Sequence, residues 1–279
     1  MSALRNGPGL RGDRSARAVC EEKCMRAYAA DAVFLVLLWC AVLGAASLAS
    51  GTAWAGPELR IAVDNGYPPF SSVDAHGQLT GFDVDMAEAL CHTMGRPCRF
   101  VPLSVEDIIA GMGRGELDLA FGVSPTGEAR EAMDFSELYF RARSSYVGRA
   151  GVNMAEGRLR VGVRKDSVQE RYLHQLGNSR FQVVSGSFVA VLEKLRAGEV
   201  DAVLGNTQAV FAFLKTDAGL SFVPLGEPVA VEDLPSFAYI GVRKGAGALL
   251  ANVNSALIML RYNGEFTRIN RQYFPYHLY

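Results

Sequence analysis

Apolar residues recur along the chain with two alternating spacings. Short charge-poor runs rich in β-branched and aliphatic residues predict buried strands at 59–63, 98–101, 117–122, 159–163, 200–205 and 237–242. Between them the apolar positions fall three or four residues apart. Val84, Ala87, Leu90 and Cys91 predict a helix from about Asp83, with Gly95 as its stop. Further helices are expected at 104–114 and 187–197, with two more between 246 and 273. Strands alternating with helices imply right-handed βαβ units and a mainly parallel sheet. After the first strand, Gly66, Pro68 and Pro69 forbid any regular element. In an open α/β sheet the crevice beyond the carboxyl end of such a strand is where ligands bind.

The pattern also repeats. Gly115-Glu116-Leu117-Asp118-Leu119-Ala120-Phe121-Gly122 returns as Gly198-Glu199-Val200-Asp201-Ala202-Val203-Leu204-Gly205. Leu59-Arg60-Ile61-Ala62-Val63 returns as Leu159-Arg160-Val161-Gly162-Val163. The chain therefore reads as two similar α/β lobes.

The first 55 residues stand outside this pattern. Residues 1–31 are Arg-rich, 32–49 are apolar apart from Ser47, and Ala53-Trp54-Ala55 forms an A-x-A site before Gly56. That is the form of a secretory signal peptide cleaved after Ala55, with Met25 as an alternative start. The product is expected to be exported and soluble in the periplasm, an anchored form being the alternative. Cleavage removes six of 28 basic and four of 29 acidic residues, leaving 22 against 25, a net charge of −3. Nucleic-acid binding, which wants a basic face, is not expected.

Cysteine usage follows from the compartment. Cys91 and Cys98 are the pair left after cleavage, and an oxidising location favours a disulfide between helix end and next strand over two unpaired thiols. His76, His92, His174 and His277 are scattered without ligand spacing, so neither metal nor cofactor is expected.

Y-P-P-F at 67–70 followed by G-F-D-V-D at 81–85 resembles the start of the solute-binding proteins of polar amino acid ABC importers, bacterial extracellular solute-binding protein family 3. The C-x6-C pair also resembles its basic-amino-acid members. The resemblance implies a type II periplasmic-binding-protein fold, an α/β molecule of two lobes with two mainly parallel sheets flanked by helices and a hinge of two crossings. Lobe one would comprise 56–147 with 236–279, lobe two 152–231, and the hinge 148–151 with 232–235. A solute would bind both lobes and select their closed form. The implied partner is an ABC permease of the inner membrane, and the protein is expected to be a monomer.

The site is expected where strand ends of both lobes meet: Asp64, Tyr67, Asp83, Gly122, Val123, Ser124 and Thr126 from lobe one, with Arg164, Ser167 and Asn206 from lobe two. Tyr67 is read as an aromatic lid or a surface tyrosine, Phe70 as core, and Asp83 as a ligand contact or an N-cap. Ser167-Val168-Gln169-Glu170 is a capping box whose free N–H groups suit an anion, or an ordinary helix start. The family clamps an α-carboxylate with Arg, whose planar fork makes two parallel bonds. Counted from Asp118 that place falls on Arg130; counted back from Asp134-Phe135-Ser136 it falls on Ala129. Where the family holds the α-ammonium with Asp, this chain has Asn206, and the lobe-two helix start has Val168 in place of a hydroxyl. An α-amino acid would then need Asp64 or Asp83 as its anion, while Arg164 and Lys165 suit an anionic solute.

An importer's binding protein is the favoured function. A binding module serving a sensor or an exported enzyme is the alternative, and a dehydratase- or lyase-like enzyme the third, with Glu128 as its carboxyl. Both tryptophans, Trp39 and Trp54, lie in the leader. The processed protein should therefore show tyrosine emission alone; a tryptophan band in purified periplasmic material would mean that the leader is retained.

Overall fold

The computed structural model describes residues 56–74, 76–155, 158–177, 179–230, 232–234 and 236–279. The signal peptide, its cleavage site and the alternative start lie outside the described residues, as does Pro235 of the second expected crossing.

Two five-stranded sheets carry the molecule. In the first, Leu59–Asp64 lies between Cys98–Leu103 and Leu119–Ala120, parallel to both; Gly241–Arg243 and Met133–Phe135 continue it antiparallel. In the second, Leu159–Arg164 lies between Phe181–Gly186 and Ala202–Asn206, again parallel; Ser144–Gly148 and Val223–Pro224 continue it antiparallel. The second sheet thus takes in Ser144–Gly148, ahead of the boundary expected at 148–151. The chain passes between the sheets at Phe140–Ala142 and Ser236–Ala238, which pair antiparallel with each other. Backbone pairing is what fixes that place: Val203 and Leu204 need partners on their open edge, and Val147 and Tyr146 supply them.

Each first strand is pinned in the same way, which explains why the repeat keeps Arg and Asp. Arg60 donates from its backbone N and Nε to Asp118 Oδ2 at 3.0 and 2.9 Å, and from Nη2 to the Gly115 carbonyl at 2.9 Å. Arg160 repeats the arrangement with Asp201, at 2.8 Å from its backbone N and 2.6 Å from Nη2 to Oδ1, and with the Gly198 carbonyl. The first strand, the end of the second helix and the start of the third strand are thereby tied at one point in both lobes.

Apolar helix faces cover the sheets. Helix Phe82–Thr93 buries Val84, Met86, Ala87 and Leu90 under Gly247–Tyr262 and Glu265–Tyr273, the two C-terminal helices. Helix Val105–Gly113, capped by Ser104 accepting from Asp107 N, covers the opposite face of the first sheet with Ile108 and Met112. Phe188 and Leu192 of helix Phe188–Ala197 do the same in lobe two, and Tyr67 meets Phe188 edge-on at 5.3 Å, so the core runs from one lobe into the other. Cys91 and Cys98 form the disulfide, Cα atoms 6.3 Å apart, joining the first helix to the second strand.

Burial pushes the Asp118 carboxyl upward, but its bonds to Arg60 outweigh that and hold it below its ordinary value. For Asp201 the Arg160 side-chain bond dominates, with the same downward result. Carboxyls depressed on folding stabilise the native state above their unfolded pKa of about 4 and lose that contribution as pH falls through the native value. Asp118→Ala should cost about 1–3 kcal/mol in urea unfolding at pH 7. Asp201→Ala should cost less, its side chain being 29% exposed against 11% for Asp118. Both differences should shrink at pH 3; a penalty that persists unchanged there would mean the pairs are not its source.

Candidate ligand-binding site

The two first strands end in opposite charges. Asp64 closes LRIAVD and Arg164 closes LRVGVR, so equivalent positions of the repeat face each other across the cleft. Arg164 Nη1 donates to Asp64 Oδ2 at 2.9 Å and to the Gly122 carbonyl at 2.8 Å. Asp64 Oδ1 accepts from Gly66 N at 3.1 Å, an Asx turn that opens the Y-P-P-F loop. The guanidinium also lies over the Tyr67 ring, 4.4 Å from its centre. Both bonds of Arg164 leave from Nη1, and its Nε–Nη2 edge makes no hydrogen bond to the described residues.

Two glycines permit this packing. Gly122 has φ +75°, a left-handed backbone that strains any other residue, and this turn brings it against Asp64. Gly81 has φ +131°, and a Cβ would collide with the Phe70 carbonyl. That close approach lets Pro69 and Phe70 carbonyls accept from Phe82 N and Asp83 N at 3.0 and 2.8 Å. The two sequence motifs are therefore one structural unit, the loop closing over the start of the helix.

Above the ion pair lies a cavity of about 60 Å³ bounded by both lobes. Of the expected residues it is lined by Tyr67, Asp83, Gly122, Val123, Ser124, Arg164 and Asn206. Tyr67 is buried, stacked on Phe70 at 5.3 Å, and Phe70 is itself core, stacked on Phe140. Asp83 is the second residue of its helix, and Gly81 is the cap position. Asn206 caps helix Thr207–Leu214, its Oδ1 accepting from Gln208 N at 2.9 Å.

Four expected residues lie outside the cavity lining: Asp64, which is held in the ion pair, and Ser167, Thr126 and Arg130. Ser167 is spent inside its own turn: Oγ donates to the Arg164 carbonyl and accepts from Glu170 N. Glu170 reaches back to Asp166 N, so the capping box is closed. Thr126 precedes helix Gly127–Ala132 without a side-chain cap bond. Arg130 is exposed, donating from Nε to the Pro125 carbonyl at 2.9 Å, while Ala129 is fully buried in the core. Neither counting therefore brings an arginine of this helix to the cavity. Glu128 is exposed.

Tyr139, Gln169, Phe237 and Tyr239 line the cavity without having been picked out from the sequence. Gln169 could have been, since it follows a helix start at a strand end; the aromatic residues sit on the crossing segments and carry no motif. Asp83 Oδ1 and the Tyr139 hydroxyl are both buried and make no hydrogen bond of normal geometry with the described residues, although each is near enough to the other to influence its ionisation. Burial raises the Asp83 pKa to about 7, opposed by the Tyr139 hydroxyl and by Arg164 and assisted by Asp64. The cavity is thus lined by a guanidinium with unused donors, a carboxyl poised near neutral pH and a wall of aromatic rings. Among the described residues no group of three or more His, Cys, Asp or Glu side chains is placed to hold a metal.

The family model for bacterial extracellular solute-binding proteins, family 3, matches residues 59–276. An L-arginine-binding protein of Pseudomonas aeruginosa is 31% identical over 254 residues, 86% of this chain and 97% of that protein. A lysine/arginine/ornithine-binding periplasmic protein of Escherichia coli is 30% identical over 251 residues, 85% and 95% of the two chains. Among solved structures, an ancestral arginine-binding protein bound to arginine matches with a TM-score of 0.70 at 28% identity, covering 78% of this chain and 98% of that one.

A carboxyl whose pKa is raised on folding carries a cost that is absent below its unfolded value and complete above its folded one. Between about pH 4 and pH 7 the wild-type protein should therefore lose stability relative to Asp83→Asn. Unfolding midpoints measured at pH 5 and pH 8 check this: the variant should gain on wild type at the higher pH. A constant difference would place the Asp83 pKa outside that interval.

Proposed function

Because the chain belongs to the bacterial extracellular solute-binding proteins of family 3, we propose that it captures a small polar α-amino acid between its lobes and delivers it to an ABC permease. It is a binding protein and not an enzyme. Its place of work is the periplasm, after cleavage at Ala55, and it acts there as a monomer facing the inner membrane. The relatives named for arginine, lysine and ornithine support an amino acid as the cargo class.

The observation that carries this reading is the pairing of opposite chemistries in one interlobe cavity. The free Nε–Nη2 edge of Arg164 suits a carboxylate, because two parallel N–H groups match its two oxygens. Asp83, with Oδ1 unpartnered, suits the ammonium. This arrangement replaces both departures noted in the sequence: Arg164 stands in for the clamp that Arg130 does not supply, and Asp83 for the acid replaced by Asn206. Lobe one contributes Asp83 and lobe two contributes Arg164, so a bound zwitterion ties the lobes together.

A thermal-shift panel of the L-amino acids on the chain from Gly56 tests the function. Ligand at 100 times its dissociation constant should stabilise by about 2.7 kcal/mol, a melting shift on the order of 5–10 °C for a protein this size. An empty panel, or consumption of the amino acid, would overturn the reading. Titration calorimetry then tests the roles. An ammonium beside Asp83 requires the ionised carboxyl, so affinity for the panel hit should be about 10–100-fold weaker at pH 5 than at pH 8. Asp83→Asn should remove that pH dependence and weaken binding at pH 8.

A further inference from the structure

The Asp64–Tyr67 corner of the site is already filled, and filled by the chain itself. Both Asp64 oxygens are engaged, one with its own loop at Gly66 N and one with Arg164. One side of Tyr67 stacks on Phe70 and Arg164 lies over the ring. A carboxylate and an aromatic face together are the chemistry that recognises a guanidinium, by charge-assisted hydrogen bonding and by attraction to the ring quadrupole. Arg164 makes both contacts and adds a third to the Gly122 carbonyl.

We infer that Arg164 is a specificity-determining residue, a tethered guanidinium that occupies the Asp64–Tyr67 seat and restricts the site to solutes whose side chain carries no positive charge. The inference rests on the proposed capture of an amino acid and specifies which ones. Two features support it. Arg164 and Asp64 have side chains only 9% and 6% exposed, so separating them would leave charges buried and unpaired. A second cation entering the seat would have to displace Arg164, and the tether keeps the competing group at high effective concentration.

The test is a comparison of wild type, Arg164→Ala and Arg164→Ala/Asp64→Asn by titration calorimetry, with methylguanidine and L-arginine as probes. Wild type should show no saturable binding of methylguanidine, and Arg164→Ala should bind it. The added Asp64→Asn should abolish that binding. Because Arg164 is also the proposed carboxylate clamp, L-arginine is compared on wild type alone, where it should bind at least about 10-fold more weakly than the uncharged-side-chain hit of the amino-acid panel. L-Arginine bound by wild type as tightly as that hit would overturn the inference, as would indifference of Arg164→Ala to methylguanidine. Should Arg164→Ala fail to fold, Arg164→Met retains most of the stem volume, and the methylguanidine comparison decides in the same way. The two readings fail separately: wild type that binds L-arginine tightly sinks the inference and spares the capture function. An empty amino-acid panel on wild type with methylguanidine binding to Arg164→Ala sinks the function and spares the occupied seat.

Discussion

The buried ion pair between Asp64 and Arg164 joins two strand ends that the repeat makes equivalent. Moving both charges out of water is costly, and it is sustained here because each has further partners: the Gly66 N–H for the acid, the Gly122 carbonyl and Tyr67 ring for the base. Removing one partner of such a pair typically costs about 3–5 kcal/mol, mostly from the charge left behind. The positions of the Y-P-P-F loop, the Gly122 turn and the start of the lobe-two helix all depend on this contact, since each contributes an atom to it or to its immediate surroundings.

The same repeat yields two kinds of charged contact with different work. Arg60–Asp118 and Arg160–Asp201 lie within a lobe, at the starts of the strands, and hold each sheet to its helix ends. Asp64 and Arg164 lie at the far ends of those strands and act between lobes. Duplication explains the first kind, which is kept in both copies. The second kind requires the copies to differ, acid in one and base in the other. Asp83 adds an asymmetry of its own: its neighbourhood holds one cation and one other acid, and burial leaves it near neutrality without a hydrogen-bond partner for Oδ1.

Much of the fold was legible because its signals are local. The strand and helix periods, the Ser167 capping box, and the repeated Arg and Asp all reflect interactions within one lobe, and the structure supplies the Ser167 cap with its hydrogen bond. The Y-P-P-F and G-F-D-V-D motifs could be read together because the loop physically rests on the helix start. The site was legible only in part. Arg164 could be placed at the cleft mouth, but its partner is a hundred residues away, and no spacing rule reports a contact made between lobes. Arg130 and Ala129 compete for one place because a loop of uncertain length precedes them. A six-residue helix turns one inward and the other outward, and burial of Ala129 decides it. Tyr139 and Phe237 reach the cavity from the crossing segments, where apolar residues look like any other buried strand.

Those crossing segments have a mechanical consequence. Phe140–Ala142 and Ser236–Ala238 are bonded edge to edge as a ribbon, with Phe140 stacked on Phe70. A strip of two bonded strands flexes readily across its flat face and resists being sheared along its length, since shear breaks every rung of the ladder at once. In the proposed closure such a strip would act as a leaf spring, letting the two lobes swing in one plane and returning them to one registration, with the acid of one copy again opposite the base of the other.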